Sequence, residues 1–378
     1  MNLETLDFRN FGAAGRNWFH PAVARLRDGR LLAVMQEIRG SDHYGCPMFA
    51  VGGERGESWS VPAEIPAFRS RRLPGTPFTE AVADPRPFLM QDGSVAVFGC
   101  TTFYTDRGCA GWDDRLPPGR AVYAVWSPET GEWSGRGTLE LPGTELTYRT
   151  ACTQAVLRGE DEIILPVYFD RGIPCDYFGH RSSRFASLTA IYRKRGDAFE
   201  FVARSNLLEL PLLRGCIEPS AIRLPEGGIA MTLRAEDGRM YRALSPDGLA
   251  WRDLRPWCWE DGVPVETAST QQHWLRLGDG VCLVYTRCDG SNDKIMRFRA
   301  PLYIARADAE RAVLIRESER VVFPRRKIDG VEVLYGNFHC AQLDDGRAIV
   351  TDAALRTEVR DGVMCNTSTE VMAALVTA

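Results

Sequence analysis

Six times along the chain an apolar strand runs into a tight glycine-bearing turn and returns as a second apolar strand. The copies read LRDGRLLAV (26–34), LMQDGSVAVF (89–98), LRGEDEIILPVYF (157–169), LPEGGIAMTL (224–233), LGDGVCLVYT (277–286) and LDDGRAIVTD (343–352). Marked by Gly29, Gly93, Gly159, Gly227, Gly280 and Gly346, they are spaced by 64, 66, 68, 53 and 66 residues. Asp-Gly between alternating apolar runs is a strong hairpin signal, because a two-residue turn needs positive φ at both central positions. A hairpin that recurs at a long, nearly fixed period is one supersecondary unit repeated, and this spacing predicts propeller blades. The expected fold is therefore all-β, a six-bladed β-propeller of four-stranded antiparallel blades forming one domain over 1–378.

A second signal recurs further into some of the units. GERGESWS (53–60), SPETGEWS (127–134) and SPDGLAWRD (245–253) share a polar turn followed by a Trp able to plug the blade core. KRGDAFEF (194–201) carries Phe instead, and the fifth and sixth copies show no equivalent. Blades fall at roughly 16–65, 80–138, 146–208, 215–258, 266–322 and 335–378. The last shows only three clear strands, and LETLDF (3–8) is the expected fourth, closing the ring and removing exposed edges.

Composition narrows the function classes. A net charge of −4 recruits neither nucleic acid nor an anionic membrane by bulk electrostatics. Arg far outnumbers Lys, which suits two-pronged recognition of carboxylates or phosphates but is first explained by the compositional bias of the source genome. Eleven Cys without a CxxC, several of them inside expected strands (Cys100, Cys282, Cys340), read as small buried hydrophobes rather than a disulfide framework. The N-terminus shows no basic region followed by an apolar core, so the chain reads as cytoplasmic. The five His are dispersed, with no HExxH and no Asp-rich calcium loop, and no metal or other cofactor is expected. A homo-oligomer is left open.

The residues just before each glycine turn belong to the innermost strand, whose entrance faces the central channel. These entrances read WFHP (18–21), ADPRP (83–87), TYRT (147–150), CIEPS (216–220), STQQH (269–273) and GNFH (336–339). They offer His20, Asp84, Arg86, Arg149, Glu218, Gln272, His273 and His339, so one polar pocket fed by six blades is expected. Taken singly, His20 and His339 could equally be structural, hydrogen-bonded to channel carbonyls. His43 lies in a loop over the same channel mouth, and His180 in an insertion (168–184) that reads as a lid or partner surface.

These segments resemble the sialidase superfamily of six-bladed propellers over the full length. WFHPAVARLRDGRLLAVMQEIR is similar to the family's opening Arg-Ile-Pro segment and first hairpin, and SPDGLAW and SPETGEW resemble degenerate Asp-boxes. The resemblance implies Asp42 as acid/base with Arg39 beside it, Glu218 as the activating carboxylate, Arg234 as the second carboxylate-binding Arg, and Arg297 or Arg299 as the third. Two departures stand out. Phe19 and His20 occupy the place of the first Arg, while Phe338 and His339 stand where the family has its nucleophilic Tyr, with Tyr335 a few residues early. Both departures put His at the channel, in which respect the chain is similar to propeller enzymes that cleave rhamnose–glucuronate linkages.

The leading expectation is an exo-acting hydrolase of an acidic sugar, a sialic acid or uronate at the end of a glycan. Asp42, Glu218, His20 and His339 would be catalytic. Arg39, Arg86, Arg149, Arg234, Arg297, Arg299, His273 and Tyr335 would bind the acidic oligosaccharide or monosaccharide. A uronate lyase or rhamnosidase-type enzyme with His20 or His339 as base, and a non-catalytic carbohydrate-binding propeller, are the alternatives.

Overall fold

The computed structural model describes residues 1–6, 8, 16–40, 42–106, 108–110, 113, 115–177, 180–360 and 363–378. Among the described residues six sheets of four or more strands form the blades, antiparallel apart from one short parallel pair (Cys258–Trp259 with Val313–Leu314) in blade 5. In blade 1 the first strand is Trp18–Arg25, in blade 2 Thr79–Leu89, in blade 4 Ile217–Arg223, in blade 5 His273–Leu277 and in blade 6 His339–Asp344. Blade 3 has it in two pieces, Tyr148–Arg149 and Val156–Arg158, both paired with Glu162–Tyr177. The N-terminal strand Asn2–Leu6 pairs with Ala373–Thr377 and becomes the outer strand of blade 6. Asp7, part of the expected closing strand, lies outside the described residues.

The glycine turns join first and second strands, but they are not two-residue turns throughout. In blades 1, 2 and 4 the loop closes from Leu26 N–H to Arg30 O (2.8 Å), Met90 N–H to Ser94 O (2.8 Å) and Leu224 N–H to Gly228 O (3.1 Å). Within each of these three-residue loops only the last residue has positive φ: Gly29 (91°), Gly93 (93°) and Gly227 (101°). Where Asp precedes that Gly it acts through its side chain instead: Asp28 Oδ1 accepts Arg30 N–H (3.1 Å) and Asp92 Oδ1 accepts Ser94 N–H (2.9 Å).

The second signal staples neighbouring blades. In SPDGLAW, Ser245 Oγ accepts Gly248 N–H (2.9 Å) and Asp247 Oδ1 accepts the N–H groups of Leu249 (2.8 Å) and Ala250 (3.1 Å). This turn delivers the buried Trp251 indole against blade 3, where its Nε1 donates to Thr189 Oγ1 (2.8 Å). Asn206 brackets the Trp251 backbone, accepting its N–H (2.7 Å) and donating to its carbonyl (3.0 Å). Apolar faces of successive blades pack between the sheets, as where Trp257 and Trp274 meet edge to face at 5.6 Å.

An antiparallel meander puts the first-strand entrances and the hairpins between second and third strands on one face of the ring, here called the mouth. Two of those hairpins are much longer than the rest: Glu162–Tyr177 with His180–Arg195, and Arg347–Arg360 with Val363–Thr377. The first is the 168–184 insertion. Phe178, Gly179 and the side chain of His180 lie outside what the structure describes.

Candidate functional site

The mouth is built on four left-handed residues, three of them at backbone bulges. His20 (φ 53°), Asp84 (53°), Cys152 (56°) and Glu218 (49°) all sit in the left-handed region. Pairing to the second strand skips between Phe19 and Ala22, between Ala83 and Arg86, and between Ile217 and Ser220. A left-handed non-Gly residue costs about 1–3 kcal/mol and persists where its surroundings over-determine it. In three of the four the next residue is Pro (Pro21, Pro85, Pro219), which has no N–H to lose from the ladder. The bulge re-aims its residue toward the axis. Gln36 locks one of them, accepting Asp84 N–H at 3.0 Å and donating to Val82 O (2.8 Å) and Gly45 O (2.9 Å).

One half of the mouth is a His–Asp pair. His20 Nδ1 stands 3.0 Å from Asp84 Oδ1, and the imidazole also meets the Asn337 side chain. Burial pulls the His20 pKa below 6.5 despite Asp84, so the ring is neutral near pH 7. Tyr44 lies 5.0 Å from the His20 ring and stacks on Phe19 at 5.8 Å. Its hydroxyl donates to Asp42 Oδ1 (3.0 Å), and Asp42 itself is exposed on its turn.

The other half is a cation cluster. Arg234 Nη1 donates to both oxygens of Glu218 (2.7 and 2.8 Å), and its Nε donates to Ser269 Oγ (2.8 Å). Ser269 Oγ donates to Glu236 Oε1 (3.2 Å), which Arg214 holds from the far side (Nε to Oε1, 2.6 Å). Burial pushes the Glu218 carboxyl up, but Arg234 outweighs it and the net shift is downward. Arg299, buried, is pulled down to about 10 by burial and by its neighbours Arg234 and Arg297, with Glu218 and Asp42 pulling the other way. It lies against Gly336, where a Cβ would fall 2.7 Å from Arg299 Nε, so only Gly leaves it room. Arg149 adjoins Asp84 and Tyr168; burial pulls its pKa down, but Tyr168, Cys100 and Asp84 outweigh it and the net shift is upward. The Nε atoms of Arg149 and Arg299 have no hydrogen-bond partner among the described residues.

The structure thus brings together His20, Asp42, Arg149, Glu218, Arg234 and Arg299, with Arg297 alongside. It does not bring in the others. Tyr335 is a core residue whose hydroxyl donates to Pro324 O (2.9 Å), so it is corrected from substrate contact to packing. Arg39 is exposed, 3.6 Å from Glu37, on a side groove shared with His43 and Tyr104. Gln272 accepts Thr232 Oγ1 (3.2 Å) inside the blade. Arg86, His273 and His339 form a buried layer beneath the mouth rather than part of it: the two rings are 5.7 Å apart, and His273 Nδ1 is 3.2 Å from Ser220 Oγ. At the blade 6 entrance it is Asn337, not His339, that reaches His20. Tyr44, Asn337, Tyr168 and Ser269 were missed in the sequence. The X-Pro dipeptides at three entrances are the signal that could have located the bulges.

No protein-family model matches the chain, and no curated protein sequence matches it either. Solved structures do. A protein of unknown function from Dyadobacter fermentans superposes with a TM-score of 0.63 at 15% identity, covering 100% of this chain and 98% of that one. The intramolecular trans-sialidase of Ruminococcus gnavus, solved with oseltamivir carboxylate, gives 0.60 at 10% identity over 98% and 97%. Trypanosoma rangeli sialidase, solved as a covalent intermediate with 2,3-difluorosialic acid, gives 0.58 at 13% over 99% of this chain and 58% of its own. The fold is the six-bladed sialidase propeller, in a form far diverged in sequence.

Proposed function

We propose that this propeller hydrolyses the glycosidic bond of a terminal carboxylated sugar, a sialic acid or a uronate. The observation that carries the reading is the gathering of Arg149, Arg234 and Arg299 at the mouth, where Glu218 is bound to Arg234 and the Nε atoms of Arg149 and Arg299 have no hydrogen-bond partner among the described residues. A sugar carboxylate against Arg234 and Arg299 supplies the missing anion in charge-assisted hydrogen bonds. Glu218 positions Arg234. Asp42, at the open edge, serves as general acid to the leaving oxygen as the bond breaks.

No Tyr hydroxyl is hydrogen-bonded to Glu218 among the described residues, so the route favoured is direct attack by water. His20, neutral and with its Nδ1 3.0 Å from Asp84, takes the water's proton while the oxygen bonds to the anomeric carbon. The products are the free acidic sugar and the alcohol, and a single displacement inverts the anomeric centre.

The same His20–Asp84 pair favours a second reading, elimination. There His20 removes the proton α to a uronate carboxylate neutralised by Arg, and the glycosidic oxygen leaves with a proton. Incubation with sialylated and uronate-terminated oligosaccharides separates the two. Reducing ends rising without ultraviolet absorbance support hydrolysis. Absorbance from an unsaturated uronate rising in step with them replaces it by elimination. Neither signal, with binding retained in calorimetry, contradicts an enzyme and leaves a carbohydrate-binding propeller.

A further inference from the structure

Below the buried Arg86 layer the channel widens again. The first strands of the blades line a cavity of about 500 Å³ that runs to the face of the glycine turns, opposite the mouth. Arg25, Arg27, Arg86, Arg223 and Arg276 line it together with His339, and no Asp or Glu is among its described lining residues. None of His20, Asp84, Glu218, Arg234 or Arg299 reaches it. In a chain of net charge −4, five arginines in one cavity are a local arrangement rather than a bulk excess.

The way these guanidiniums are held matters more than their number. Arg223 donates to Leu157 O (2.9 Å), Arg25 to Leu343 O (3.0 Å) and Arg27 to Gln91 O. Backbone carbonyls orient a guanidinium without cancelling its charge. Among the described residues, Glu54 is the one carboxylate ion-paired with a lining arginine, 3.4 Å from Arg25 and shared with Arg347 at 3.2 Å, while acids of the turns at this face pair with other cations, Asp28 with Arg30, Asp92 with Lys194 and Asp344 with Arg347. At the deep end Arg86 is 2% exposed, and its Nε and Nη1 have no partner among the described residues; its Nη2 faces Cys152 Sγ at 3.7 Å. Arg276 Nε and His339 Nδ1 are likewise buried without a partner. Leaving a buried cation unpaired costs several kcal/mol, a cost that a bound anion offsets. Between the deep and rim cations the walls are apolar, with Phe88, Leu157 and Trp274 among them.

The geometry points to a second binding site in this channel, for an organic anion whose carboxylate meets Arg86 and whose apolar body fills the walls below it. The volume lies within the range of about 300–1,000 Å³ usual for small-molecule sites. A second acidic group at the far end of such a ligand would meet Arg223 and Arg276 at the rim.

Calorimetric titration of the intact protein with octanoate, its dicarboxylate analogue suberate and neutral octanamide tests the assignment. Octanoate and suberate are expected to bind at one site per chain, with octanamide weaker by at least about tenfold. Arg86→Gln should weaken octanoate by about tenfold or more. Because Arg86 is buried and its variant can fail to fold, the rim pair Arg223→Gln/Arg276→Gln provides the independent arm, weakening suberate more than octanoate. No binding of either carboxylate at millimolar concentration, octanamide binding as tightly, or a rim variant indistinguishable from the parent would overturn the proposal. So would competition of octanoate by an acidic monosaccharide, which would move the binding to the mouth.

Discussion

Glu218 accepts from Arg234 through both carboxylate oxygens and so fixes that guanidinium at the mouth, with Arg299 and Arg149 adding charge beside it. Arg234→Ala should weaken binding of an acidic sugar by about tenfold to a hundredfold while changing its methyl ester little, because charge-assisted pairing is lost only for the acid. Equal losses for acid and ester, read by calorimetry, would remove the carboxylate role. His20→Ala should lower kcat by about a hundredfold or more, the usual range for a positioned general base, with a smaller effect on KM. Unchanged turnover would dismiss His20 as base. Sequence reasoning reached His20 and Glu218 because each sits at the same offset before a glycine turn, and Arg234 through the family resemblance. It misassigned Tyr335 because one-residue steps along an irregular entrance decide between channel and core, and no periodicity marks them. Tyr44 and Asn337 belong to the mouth through tertiary contacts alone, with nothing local to betray them.

At the scale of elements, two devices repeat around the ring. The bulges lift His20, Asp84 and Glu218 out of their ladders, and the Ser-Asp-Gly-Trp turn pins one blade to the next. Trp251→Ala opens a buried cavity between blades 3 and 4 and strips Thr189 of a donor. A loss of about 3–5 kcal/mol in unfolding free energy is expected from denaturant titration. A loss under about 1 kcal/mol would mean that the turn is not a staple. The glycine turns and Trp plugs were legible in sequence because they depend on local backbone chemistry. The bulges were not, since a left-handed His, Asp or Glu runs against single-residue preference and is imposed by the neighbouring blade, as Gln36 does for Asp84.

The whole molecule buries three neutral imidazoles around one axis. His20, His273 and His339 are each held below 6.5, by burial first. Asp352, which accepts the N–H groups of Ala353 and Gly336, is pushed by burial up to about 7. On unfolding below 6.5, three imidazoles take up protons while Asp352 releases one, so the unfolded chain binds two more. Stability should then fall as the pH drops from about 6.5 towards 5. Urea midpoints at about pH 7.5 and about 5.5 check this, and equal midpoints would contradict the buried neutral histidines.

The propeller itself was readable from six turns because repetition multiplies a weak local signal into a global one. The chemistry at its axis is assembled from six blades and is written in no single segment. The most direct measurement is therefore a crystal structure with a carboxylated monosaccharide soaked into the mouth. The account predicts the sugar carboxylate against Arg234 and Arg299, with the anomeric carbon turned toward Asp42 and His20. A sugar bound with its carboxylate in solvent, or held only outside the ring of first-strand entrances, would contradict it.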